Sequence, residues 1–240
     1  MTGTTYDGAL GLDVRGRTWR RTQRPPLTLT VLEKQASLWA LPTDQSGGSR
    51  GGDQLSTEIA VRDRAHLDWL PPASSLYFPS ADRIRVCQIR THIEVGPGCR
   101  LDYLPKVSIP CRGARVDQET VIEAASDAEL LYWDGWSDGR TASGERGLFA
   151  SVSNRFELRL EGRLVFQECW TLEGGARRSP DPAGLQGACQ WWLGLAVGAN
   201  SRDALTARVD RWKAAGETAE QSELAEGVWL ARALLQRPRG

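Results

Sequence analysis

The chain has 240 residues, and its 30 Lys and Arg are balanced by 30 Asp and Glu, so its formal charge at pH 7 is zero. That argues against nucleic acid as the main partner, because phosphate binding needs a net basic footprint that releases counterions. A chain of this length buries roughly 70–75% of its unfolded surface and folds without a disulfide or metal staple, so one domain is expected.

The first residues, Met1 to Asp7, carry neither a basic segment nor an apolar run, and no signal peptide is read there. Residues 6–41 alternate apolar and polar side chains as strands do. The basic run Arg15, Arg17, Arg20, Arg21 and Arg24 falls on alternate strand positions and reads as a solvated face. A loop rich in Gly, Ser and Asp is expected at 42–52. Its Gly-rich run, Gly47 to Asp53, lacks the spacing that cradles phosphate, so Asp53 reads as the cap of a turn that enters a strand.

A repeat follows. Thr57-Glu-Ile-Ala-Val-Arg-Asp-Arg-Ala-His-Leu-Asp-Trp-Leu-Pro71 aligns with Thr91-His-Ile-Glu-Val-Gly-Pro-Gly-Cys-Arg-Leu-Asp-Tyr-Leu-Pro105 at an offset of 34, and a third copy begins at Thr120. Three further residues bring Ser74, Ser108 and Ser137 into the same frame. Each unit reads as a short strand, a tight polar turn and a second strand; between units lie the alternating stretches 83–90 and 115–122. Single all-β units of this size cannot bury a face alone and must stack. The expected fold is therefore mainly β, a β-helix or solenoid-like stack of strands with a small helical C-terminal part. An ordinary β-sandwich is the alternative.

Beyond the repeat, 154–160 and 163–168 form a hairpin turned by Glu161-Gly162, and a second loop spans 174–187. Ser201 as N-cap, with Leu205, Val209 and Trp212 at helical spacing, marks an amphipathic helix to about Ala215. Residues 218–236 read as either helix or strand. Residues 1–200 are thus assigned to the scaffold and 201–240 to a helical, partner-binding segment of the same unit. The longest near-apolar run, Trp191 to Ala199, is about half of the ~20 residues a membrane span requires. The five cysteines (87, 99, 111, 169, 189) are odd in number and show no C-x-x-C pair, which fits a reducing compartment. A soluble, cytoplasmic protein with no membrane contact is expected.

Candidate chemistry is sparse. The two histidines, His66 and His92, and the scattered cysteines give no preformed tetrahedral metal site, and no G-x-S-x-G elbow points to a nucleophile. The acidic residues recur, however. Asp68 and Asp102 occupy equivalent repeat positions, so stacked units bring two half-buried carboxylates together, and such a pair takes up a proton or holds a cation unless both face water or an arginine. In the third unit Leu131 takes the Asp place and the acid moves to Asp134. Paired carboxylates with aromatic platforms also describe a β-helical enzyme acting on polysaccharide.

The order and spacing of several short motifs resemble one family. Leu101-Asp-Tyr-Leu-Pro-Lys-Val-Ser-Ile-Pro110, Gly113-Ala-Arg115, Gln118-Glu-Thr120, Leu131-Tyr-Trp-Asp134, Gly139-Arg140 and Gly144-Glu145, preceded by Gly51-Gly-Asp53-Gln-Leu55 and Ser74 to Tyr77, are similar to the urease accessory protein UreD (UreH) family. The tail from Gly184-Leu185 to Gly198 and the helix after it are similar too. The resemblance implies a β-helical scaffold that is not an enzyme: a chaperone that binds urease apoprotein with the partners UreF and UreG and supports nickel insertion. No tightly bound cofactor is implied, only transient Ni2+ along an internal acidic passage. Carried over by position, that passage takes Asp53, Asp102 and Asp134; Asp68 is added from the repeat. Where the family has a Thr pair and a Lys, this chain has Trp69-Leu70 and Ser75. A plain interaction domain with no metal role is the remaining alternative. The ten Trp divide in the same reading: Trp69, Trp133 and Trp136 are packing residues of the repeat, whereas Trp170, Trp191, Trp192, Trp212 and Trp229 crowd the C-terminal third and are expected on a partner surface, as Trp is favoured at hot spots.

Overall fold

The computed structural model describes residues 5–174 and 187–236. Two hairpins open the chain: β1 (Asp7–Arg15) with β2 (Thr18–Arg24), and β3 (Leu27–Glu33) with β4 (Leu38–Asp44). The strands β5 (Ser49–Arg50), β6 (Gln54–Arg62), β7 (His66–Trp69), β8 (Ser75–Phe78), β9 (Cys87–Val95), β10 (Arg100–Tyr103), β11 (Ser108–Pro110), β12 (Arg115–Ala124) and β13 (Glu129–Ser137) follow. The chain then runs through a long hairpin, β14 (Ser151–Leu160) and β15 (Arg163–Glu173), to β16 (Gln190–Val197), α1 (Ala199–Ala214), β17 (Thr218–Ala225) and β18 (Val228–Leu235).

These strands form two sheets that the chain visits in turn. The first is ordered β15-β14-β12-β9-β6-β1-β2 and the second β17-β18-β16-β13-β10-β7-β4-β3. The centre of each sheet is parallel, because every return passes through the other sheet rather than through a tight turn. A short third ladder joins β5, β8 and β11.

The repeat is visible in the register. Thr57 pairs with Thr91 and Thr91 with Thr120 in the first sheet, while Leu67 pairs with Leu101 and Leu101 with Leu130 in the second. The serine frame is a correction: Ser108 pairs with Ser75 and Trp136, not with Ser74 and Ser137. The connection from Tyr103 to Ser108 is one residue shorter than that from Trp69 to Ser75, and a shift of one residue turns every later side chain to the other face. The stretch 83–90 is also shorter than expected, since the strand starts only at Cys87. The Pro42–Gly52 loop is partly absorbed into β4 and β5, with turns left at 45–48 and 51–52. Apart from its two end residues, the 174–187 loop lies outside the described residues, as does the Gly184-Leu185 motif.

Side chains alternate across the second sheet. Leu67, Trp69, Leu101, Leu130, Tyr132 and Trp136 enter the main core between the sheets. Leu131, Trp133, Trp192 and Ala196 face outward into a second core closed by Leu205, Val209 and Trp212 of α1. The helix thus buries the apolar stripe expected of it. Its start differs: it begins at Ala199 after Gly198, whose φ of 87° favours glycine, and Ser201 is buried inside the first turn. The capping carboxylate comes from β13, where Glu129 accepts hydrogen bonds from the backbone N–H groups of Asn200 (3.3 Å) and Ser201 (2.9 Å). Glu129→Ala is expected to cost about 1 kcal/mol in urea-unfolding stability, the usual loss for a helix cap. Residues 218–236 resolve as the β17–β18 hairpin, because Val228, Ala231, Ala233 and Leu235 bury on alternation against the second core and the interior. The C-terminal segment is therefore helical only as far as Ala214, and it extends the second sheet.

Candidate functional site

Two cavities lie along the interior face of the second sheet, and one residue, Asp134, lines both. The first, about 380 Å³, has a mixed lining: Thr57, Thr91, Thr120, Ser75 and Gln118 alternate with Leu10, Leu55, Ile89, Trp69 and Tyr103, and Asp44 and Lys106 are the charged groups besides Asp134. The second, about 360 Å³, is walled mainly by Trp136, Trp170, Trp191 and Leu172, with Glu168 and Arg232 at its polar edge. Glu168 of β15 and Arg232 of β18 form an ion pair that ties the two sheets together there. Aromatic contacts continue along this wall from Tyr77 to Trp136 (5.8 Å between centroids), Trp170 (6.1 Å) and Trp191 (5.7 Å).

At the junction, Gln118 Nε2 donates to Asp134 Oδ2 (3.0 Å) and to Asn154 Oδ1 (3.3 Å), and Trp136 Nε1 donates to the same Asp134 oxygen (3.2 Å). Burial pushes the Asp134 carboxyl up to about 6, and nearby Glu168 adds to the rise; the Trp136 and Gln118 donors oppose it. A carboxyl held this close to neutrality exchanges a proton for a cation at little cost in charge.

The other predicted acids sit elsewhere. Asp53 is fully buried but lines neither cavity; its oxygens accept the backbone N–H groups of Tyr6 (2.9 Å) and Arg50 (2.7 Å), the turn-capping arrangement expected from its loop. Asp68 and Asp102 pair in register, as the repeat requires, yet they project from the outer face of the second sheet, opposite to Asp134. A single acidic ladder through all four residues is therefore not what the chain builds.

Sequence reasoning assigned His66 no place in a preformed metal site. Its Nε2 stands 3.5 Å from Asp68 Oδ1 and 3.5 Å from Asp102 Oδ2. The carboxylate of Asp102, and next that of Asp68, raise its pKa to about 9 against the cost of burial. The signal was present, since two-residue spacing puts His66 and Asp68 on one face of β7. Ser37 Oγ donates to Asp68 Oδ2 (2.6 Å), and Arg100 donates to Asp102 through Nη2 (2.8 Å) and Nε. Gln118 and Asn154 were also missed; only the closure of the two sheets shows that these polar positions face inward.

Of the tryptophans expected on a partner surface, Trp192 and Trp212 are a correction: both are buried with Trp133 in the second core. The three rings surround the Arg208 guanidinium at 4.8, 5.2 and 5.1 Å, and burial, then Arg211, push that group down to about 10. Trp229 is partly buried under Arg202, whereas Trp170 and Trp191 line the second cavity.

Comparison with known proteins agrees with the motif resemblance. The family model described as UreD urease accessory protein matches residues 7–238. The urease accessory protein UreD of Pseudomonas aeruginosa is 34% identical over 143 residues, 59% of this chain and 49% of that protein, and that of Nitrosococcus oceani is 33% identical over 141 residues, 59% and 47%. These matches span about half the length of the relatives concerned. The UreD of Rhodopseudomonas palustris is 32% identical over 239 residues, covering 96% of this chain and 84% of the relative.

Proposed function

The chain belongs to the UreD urease accessory protein family, and from that premise we propose that it is a scaffold in urease maturation, an accessory protein rather than an enzyme. In this reading it binds urease apoprotein together with UreF and UreG partners in the cytoplasm and lets Ni2+ pass through its interior as cargo. The parallel ladders that alternate between the sheets are the coils of a short β-helix, and its hollow is the conduit. Among the described residues no helix is long and apolar enough to cross a membrane.

The observation that carries the proposal is the pair of cavities that share Asp134 as a wall. Hydroxyl and amide oxygens on one side supply weak ligands, which let a divalent ion move without being trapped. Asp134 is the one carboxylate shared by both chambers, so it is the step at which the ion is held and handed on. The Trp-lined second chamber, with Glu168 and Arg232 at its edge, is where a partner receives it.

Deleting the gene from a urease-producing host tests the reading. Urease is expected to accumulate without nickel and without activity, and both are expected to return when the gene is restored. Unchanged urease activity and nickel content in the deletion strain would overturn it.

A further inference from the structure

The cluster of His66, Asp68 and Asp102 has no part in the interior passage, yet its donor atoms are spaced as metal ligands are. One ligand atom from each residue lies within 4.8 Å of the others, and the His66 Nε2 separations from both carboxylates are 3.5 Å. Two atoms bound at about 2.1 Å to a tetrahedral ion stand roughly 3.4 Å apart. The same distance is too long for a hydrogen bond. His66 Nε2 is accordingly a buried nitrogen that makes no short hydrogen bond but meets two carboxylate oxygens as an ion pair and points between them.

We propose that His66, Asp68 and Asp102 form a binding site for a divalent first-row transition cation on the outer face of the second sheet. An imidazole with two carboxylates suits Zn2+, Ni2+ or Co2+; Ca2+ and Mg2+ need six or more oxygens, or several retained waters. The surrounding contacts orient this set. Ser37 occupies Asp68 Oδ2 and leaves Oδ1 turned toward His66. Arg100, level with His66 in the ladder, donates through Nη2 to Asp102 Oδ2 (2.8 Å), the oxygen that faces His66, so an ion bound there shares that oxygen with the guanidinium. Binding displaces the proton from Nε2 and leaves a fourth position for water or a ligand from a partner. Because Asp68 lies on β7 and Asp102 on β10, the ion links neighbouring coils of the chain.

Isothermal titration of the full chain with Zn2+ alone, and separately with Ni2+ alone, tests the site. The wild-type chain is expected to bind an ion that His66→Ala and Asp68→Asn each weaken at least tenfold and that Asp203→Asn, exposed on α1, leaves unchanged. With Co2+, the visible absorption of a tetrahedral site is expected in the wild type and lost in His66→Ala. His66→Gln, checked by its thermal melt, replaces His66→Ala if the alanine variant does not fold. An absence of binding by the wild type, or equal affinity and stoichiometry in the His66 and Asp68 variants, would overturn the proposal. The readout is metal bound to this chain alone, so it fails or succeeds separately from the role in urease maturation.

Discussion

Replacing Gly194 with valine is expected to destabilise the protein by about 3 kcal/mol or more, the upper end of overpacking losses. In the β13–β16 ladder Trp133 sits opposite Gly194 and Trp192 opposite Gly135, so each indole lies across the strand from a glycine. A Cβ on Gly194 would stand 2.4 Å from the Trp133 ring, and one on Gly135 2.4 Å from Trp192. Neither ring can yield. Trp133 is fully buried, meets Trp212 edge-on at 5.1 Å and carries Arg208 on its face. Trp133→Ala alone should cost about 3–5 kcal/mol through the cavity it leaves. In the double variant the smaller side chain makes room for the valine, so the two losses should fall well short of additive in urea unfolding. Strictly additive losses would show that the Trp-on-Gly contact is not what closes the second core.

Asp134→Asn is expected to stabilise the fold while it disables the function. The carboxyl has a folded pKa of about 6 against an ordinary value of 3.8, so folding binds its proton more tightly than the unfolded chain does. The sign follows: below pH about 4 the residue is protonated in both states and costs nothing, the penalty grows as pH rises through 6, and above that it is constant at no more than about 3 kcal/mol. An asparagine keeps an oxygen for Trp136 and Gln118 without that penalty. The variant should therefore melt above wild type at pH 7.5, with the difference gone near pH 4. Urease activation in cells should nevertheless fall at least tenfold, because the amide has no charge with which to hold a cation. A variant that activates urease normally would remove Asp134 from the route.

The parts of this structure legible in the sequence were those fixed by short-range alternation and by the repeat. Thr57, Thr91 and Thr120 fall into register, and Asp68 meets Asp102, because strand periodicity and repeat offset alone decide those neighbours. The frame failed at Ser74, where loop length governs and the two connections differ by one residue. Leu205, Val209 and Trp212 announced a helix with an apolar face but not what that face would cover, and so Trp192 and Trp212 were expected on the surface rather than under α1. The interior site was harder to read for the same reason. Gln118, Asn154 and Asp134 come from three strands in two sheets, and only the closed fold brings them to one point.

The most direct test of the interior route is the nickel content of urease made in the presence of Asp134→Leu. The variant is co-produced with urease and the other accessory proteins, and the accessory complex is recovered first to show that it still assembles. Nickel per urease active site is then measured by elemental analysis. A route through the two chambers predicts an assembled complex beside urease that carries at most a tenth of the wild-type nickel. Full nickel loading with leucine at the junction would contradict it.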